Sequence, residues 1–158
     1  MHESPALEAV ADSGVDYRVV RFEPARDLAE AAERRGTTVD RILKTMVVRT
    51  GEDIYVIVLV PGDRVIDWGA LREHLGLRRL ALADAGQAFE ATGYRRGTIT
   101  PFGVTPILDV LVDAGVIGRG EVSVGAGVPG TAIHLDVDEL IAAVGANPVH
   151  ITKPAEGP

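Results

Sequence analysis

The sequence predicts an α+β fold, a central mixed and largely antiparallel sheet surrounded by helices. Two apolar runs, Ile42–Val48 and Ile54–Val60, flank Gly51-Glu52-Asp53, a hairpin connection that pairs them antiparallel. Capped helical segments alternate irregularly with other strand-like runs, unlike the regular strand–helix–strand repeat of a parallel wind. At 158 residues the chain reads as one domain over residues 1–152, with a frayed tail over 153–158.

Ser4-Pro5 gives an N-cap followed by proline at the first helical position, and Gly14 closes that helix. Tyr17 to Phe22 alternates as a strand does. Asp27-Leu28-Ala29-Glu30 is a capping-box pattern, and the alanine-rich helix it opens stops at Gly36. Thr37 to Asp40 forms a turn or short helix leading into the first apolar run. Asp67 caps a helix that ends at Gly76, and Asp84 opens another ending near Gly93. Tyr94 to Pro106 has little periodicity and several glycines and prolines, so it reads as a loop. Ile107–Val112, Glu121–Val124 and Thr131–Leu135 read as strands. Asp136-Val137-Asp138-Glu139 repeats the capping-box pattern before a last helix ending at Gly145.

Composition narrows function by exclusion. Cysteine is absent, which removes disulfides, thiolate nucleophiles and cysteine metal sites and suits a reducing compartment. The N-terminus carries no signal-like core and no apolar run is long enough for a bilayer, so a cytoplasmic protein without membrane contact is expected. Sixteen basic against 23 acidic residues give a net charge of −7, which opposes non-specific nucleic-acid binding. Local basic groups remain at Arg34-Arg35, Arg41 with Lys44, Arg78-Arg79 and Arg95-Arg96. Each doublet is also what a solvated face looks like.

Familiar chemistries fail on context. Gly125-Ala126-Gly127-Val128-Pro129-Gly130 spells a dinucleotide fingerprint, yet Pro129 and the β-prone Thr131–Leu135 stand where a helix is required. No serine sits in a nucleophile elbow. His2, His74, His134 and His150 show no metal-ligand spacing, so no metal site is expected; His134 stands out only for following the second glycine loop.

What remains is a lysine in an apolar run and two glycine loops. Strand alternation puts Lys44 on one face with Ile42, Met46 and Val48, where an ammonium needs a partner, a cavity or a job. Periodicity alone is met more simply by a lysine that snorkels from a strand end to water. Gly97-Thr98-Ile99-Thr100-Pro101-Phe102-Gly103 and Gly125–Gly130 can bring bare backbone close to a ligand.

Ile42-Leu43-Lys44-Thr45-Met46-Val47, then Thr92-Gly93-Tyr94 running into Gly97–Gly103, then Val124-Gly125-Ala126-Gly127 before a strand and capped helix, occur in one order. That order resembles the YbaK/EbsC family, free-standing relatives of the editing insertion domain of bacterial prolyl-tRNA synthetase. The resemblance spans nearly the whole chain and implies the same α+β fold. It implies a deacylase that hydrolyses the ester of mischarged aminoacyl-tRNA in trans, such as mischarged tRNA(Pro), without metal or organic cofactor. Partners would be the acceptor end of aminoacyl-tRNA and an aminoacyl-tRNA synthetase, with the protein a monomer or weak dimer. The family's lysine carries over to Lys44 as the catalytic residue, its G-x-x-x-P loop to Gly97 and Pro101, and its glycine turn to Gly125 and Gly127. Phe22 takes the place of the family aromatic, and Thr45, Thr98, Phe102, Gly103 and His134 complete the expected substrate site. Two departures concern substrate choice: Gly130-Thr131-Ala132 replaces a Gly-Leu-Asp type turn, and Phe22 lacks the hydroxyl some members have. A binding module using the same pocket without turnover is the alternative.

Overall fold

The computed structural model describes residues 3–105 and 107–156. His2, the loop boundary at Pro106 and the last two residues of the tail lie outside them. Among the described residues five helices, α1 (Pro5–Asp12), α2 (Leu28–Arg35), α3 (Trp68–Leu75), α4 (Ala85–Thr92) and α5 (Val137–Val144), flank three sheets. The strands are β1 (Tyr17–Arg21), β2 (Leu43–Gly51), β3 (Ile54–Pro61), β4 (Arg64–Ile66), β5 (Ala81–Leu82), β6 (Val110–Asp113), β7 (Glu121–Gly125), β8 (Thr131–Asp136), β9 (Asn147–Val149) and β10 (Thr152–Pro154).

The central sheet is mixed, in the order β5-β2-β3-β6-β9. The β2–β3 hairpin and the short β5 pair antiparallel, while β6 and β9 add in parallel to β3. An antiparallel sheet, β1-β8-β7, packs against one face. Leu43, Ile57, Leu59 and Val112 meet Val122, Val124, Ile133 and Leu135 there, with Leu7 and Val10 of α1 and Leu140 of α5. The other face of the central sheet buries Val48, Val58, Val60 and Leu111 against Ile66, Leu71 and Ile151. At ~1.5–3 kcal/mol per buried aliphatic side chain, these two layers hold the sheet as a rigid platform.

Helix starts follow the chain's short polar residues. Ser4, Asp27, Asp67, Asp84 and Asp136 each accept a backbone N–H of the first turn. A reciprocal capping box forms only at α4, through Asp84 and Gln87. Glu30 of α2 does not reach back to its cap, because its carboxylate is held by Arg26 and Arg34 at 2.8 Å each. At α5 the Asp136 carboxylate alone caps Asp138 and Glu139.

Two expectations change. The strand expected from Ile107 begins at Val110, and Ile107 is 93% exposed. Residues 153 and 154 are not frayed: Thr152–Pro154 pair with Arg64–Ile66 as a two-stranded ribbon. No helix among the described residues is long and apolar enough to cross a membrane.

Candidate functional site

The first half of β2 lacks a neighbour on one side. At its start a single parallel bridge joins Ile42 to Ser123 of β7. At its far end β5 pairs only with Val48 and Arg49, and Ala83 N donates to Val47 O at 2.9 Å. Between these attachments β2 and β7 part. The opening is a cleft of about 460 Å³ bordered by Leu43 to Val47, by Ala83, Asp84 and Ala88 around α4, by Gly97 and Ile99, and by Gly125. Arg35 from α2 and Arg96 add positive charge to its edge.

Lys44 therefore shares a cleft with the first residue of one glycine loop and the first of the other. Its ammonium is held at the side of the cleft: Nζ donates to Arg64 O at 2.8 Å, on the sheet face that also carries Met46 and Val48. Lys44 also borders a depression there with Val60, Ile66 and Trp68. Burial holds its pKa below the ordinary lysine value, and the nearby Asp63 carboxylate opposes that shift. One carbonyl uses one of three ammonium N–H groups, so two remain for another partner.

Thr45 points to the opposite face, with Leu43 and Val47, and borders the cleft. Its Oγ1 is buried and has no hydrogen-bond partner among the described residues. Gly125 lets two walls touch: a Cβ there would stand 2.5 Å from Ile99 O and 3.1 Å from Thr98 O. Gly127 N donates to Thr98 O at 2.9 Å, tying the two loops together. Gly127 itself has φ +81°, and a Cβ would meet the Tyr94 ring at 2.6 Å, so it packs the loop onto the core outside the cleft.

The other expected residues lie elsewhere. Pro101, Phe102 and Gly103 turn inward and border a separate depression with Ala9, Ile57 and Val110. Tyr94 donates to Phe102 O at 2.7 Å, and burial pushes the Tyr94 pKa up to about 12. Thr98 is buried and donates to Arg95 O, closing its own turn. Phe22 reaches the cleft only through Arg35, whose guanidinium lies 4.7 Å over its ring and donates to Ser123 Oγ at 3.1 Å. His134 is 1% exposed on β8, with Nδ1 3.4 Å from Glu121 and Nε2 without a partner among the described residues; it does not border the cleft. Burial, then Arg18, hold its pKa below 6.5 against the pull of Glu121.

Sequence reasoning did not single out Arg35, Arg96, Asp84 or Ile99 as cleft residues. Two of them belong to the arginine doublets, which was the available signal. Asp84 is the sole carboxylate bordering the cleft among the described residues, and it accepts Gln87 N at 2.8 Å as the cap of α4. No three metal-binding side chains converge among the described residues.

A mixed sheet with a strand-wide opening, walled by glycine loops and edged by Arg35 and Arg96, defines a small α+β domain. The family profile described as "Aminoacyl-tRNA editing domain" matches residues 23–143, and the chain belongs to that family. It is 32% identical over 124 residues to a proline–tRNA ligase of Ligilactobacillus salivarius, covering 78% of this chain and 22% of the ligase. An uncharacterised protein of Bacillus subtilis, YwhH, is 29% identical over 77% of this chain and 78% of its own length. A crystal structure described as a candidate trans-editing enzyme for prolyl-tRNA synthetase superposes with a TM-score of 0.84 at 28% identity, covering 97% of this chain and 99% of that one. The helices-around-a-mixed-sheet fold is thus that of the trans-editing domain.

Proposed function

We propose that this protein is a trans-acting deacylase that hydrolyses the ester between a wrong amino acid and the terminal adenosine of tRNA. The observation that carries the reading is the meeting of Lys44, Gly97 and Gly125 around one cleft that Arg35 and Arg96 edge with positive charge. Similarity to proline–tRNA ligases favours mischarged tRNA(Pro) as substrate and the cognate synthetase as a working partner.

An aminoacyl ester is already activated, so its hydrolysis needs placement of water and stabilisation of the oxyanion more than a strong nucleophile. Lys44 is the catalytic residue in this reading. Its two free N–H groups bring positive charge to the carbonyl or to the adenosine phosphate. It does not attack the ester, since an amine nucleophile would end in a stable amide. Asp84, the carboxylate bordering the cleft among the described residues, accepts Gln87 N through Oδ1 as the cap of α4. In this reading the proton of the attacking water passes to the neighbouring ribose hydroxyl of the substrate and on to the leaving ribose oxygen.

The test is release of amino acid from a panel of mischarged tRNAs, tRNA(Pro) among them. At least one should be deacylated while correctly charged Pro-tRNA(Pro) is spared. Binding without turnover across the panel would replace the enzyme by a binding module.

A further inference from the structure

The gap along β2 has a geometry of its own. Val47 O accepts from Ala83 N on the β5 side, so Thr45, two residues earlier, turns both its N–H and its C=O to that same side. β5 does not extend that far, and β7 has already diverged after the Ile42–Ser123 bridge. The main-chain N–H and C=O of Thr45 thus have no ladder partner among the described residues, and its Oγ1 has none either. The partnerless Oγ1 and the two main-chain groups without a ladder partner border a cleft whose neighbouring walls, Leu43, Val47, Ala88 and Ile99, are apolar. An open strand edge presents main-chain donors and acceptors in the spacing of a ladder, so a ligand with a matching donor and acceptor can complete it here.

We propose that the aminoacyl group of the substrate binds in this gap as a one-residue strand opposite Thr45. Residues directly opposite in an antiparallel ladder exchange two bonds. The α-ammonium of the substrate donates to Thr45 O, and Thr45 N–H donates to the ester carbonyl oxygen. When water adds to that carbonyl, the negative charge forms on the oxygen facing Thr45 N–H. The carbon–oxygen bond to ribose then breaks, and the ribose oxygen leaves with the proton given up by the water. Thr45 N–H is thereby an oxyanion donor, and Thr45 C=O is the group that reads the substrate's α-ammonium. This rests on the deacylase reading for its chemistry but not for its binding geometry.

The test has two arms. In the first, a non-hydrolysable amide-linked aminoacyl-adenosine is titrated into the labelled protein while the Thr45 amide is followed by NMR. The amide should exchange rapidly in the free protein, then shift and gain protection when the analogue binds. An amide already protected, or unmoved at saturation, overturns the proposal, as does failure of every analogue in an amino-acid series to bind. In the second, single-turnover hydrolysis of the preferred mischarged tRNA is compared with that of the same tRNA carrying the des-amino acyl group. Loss of a charge-assisted hydrogen bond should slow the latter by about 10- to 100-fold. Thr45→Pro removes the N–H without breaking a β2–β3 bond, because that N–H faces the open edge, and should fall ~100- to 1,000-fold below Thr45→Ala, which keeps both main-chain groups. Equal rates for acyl and aminoacyl tRNA would sink this inference while leaving the deacylase reading intact. Protection of the Thr45 amide with no turnover on any tRNA would do the reverse.

Discussion

Replacing Gly125 by alanine tests whether the distance between the two glycine loops governs the site. The added Cβ would lie 2.5 Å from Ile99 O, whereas ordinary contact begins near 3.4 Å. Strand and loop must therefore separate by roughly 0.9 Å (3.4 less 2.5), and the contact is with backbone, which yields less readily than a flexible side chain. The Gly127 N to Thr98 O bond of 2.9 Å spans the same two segments and would be stretched with them. Overpacking of this kind costs ~1–3 kcal/mol. For a domain of this size that lowers Tm by about 2–12 °C. A shift of this order in one wall of the cleft should also slow deacylation by roughly 100-fold, beyond any effect of lost stability. The assay is single-turnover release of amino acid from a tRNA the wild type deacylates, run well below the variant's melting point. A folded Gly125→Ala protein with wild-type rates would refute the claim that loop spacing sets the chemistry.

Other consequences can be read in the same assays. Lys44→Ala should lose orders of magnitude in single-turnover rate with an unchanged circular dichroism spectrum, and Lys44→Arg should recover little, because a planar guanidinium cannot occupy an ammonium's place. Wild-type rates in Lys44→Ala would make the lysine structural. His134 should destabilise the fold as pH falls below 6.5. There the unfolded chain takes up a proton that the buried imidazole resists, so stability declines with falling pH down to the lowered folded-state value. His134→Gln should flatten that part of a denaturation-versus-pH profile; an unchanged slope would show that another group carries it. tRNA affinity should depend only weakly on salt, since each phosphate contact contributes close to one unit of log–log slope and few cations edge the cleft. A slope as steep as that of a protein coating the whole tRNA would contradict this.

Local signals made the helices legible: five short polar caps and the glycines at helix ends act within a few residues, where sequence speaks directly. The β2–β3 hairpin was legible for the same reason. Four short strands were not. β4, β5, β9 and β10 are two or three residues long and exist because a distant partner offers a ladder, as Arg64–Ile66 does for Thr152–Pro154. The chemistry followed the same division. Lys44 and the two glycine loops were visible as motifs in order, and alternation put Lys44 on the face with Met46 and Val48, where it is found. What alternation could not say is that β2 loses its neighbour for several residues, since that depends on where β5 and β7 stop. Arg35 and Asp84 reach the cleft through the packing of α2 and α4, which no spacing along the chain records.

Under the proposed function, the charge distribution sets how an RNA end would approach. Arg35, Lys44 and Arg96 against Asp84 give the cleft a formal charge of +2, which leaves −9 for the rest of a chain whose total is −7. At physiological ionic strength fields fade over about 8 Å. The body of a tRNA therefore meets net repulsion or nothing, and attraction begins only for phosphates that come within that range of the cleft. A single-stranded acceptor end can do so, whereas a duplex is too wide for an opening one strand across. On the proposed function, selection for the end of the molecule would follow from the acidic remainder as much as from the basic edge. Adding positive charge elsewhere on the surface should raise tRNA affinity while lowering the preference for charged acceptor ends, and binding assays with full tRNA against isolated acceptor-stem minihelices would show it. If both ligands gained equally, the acidic surface would have no part in the selection.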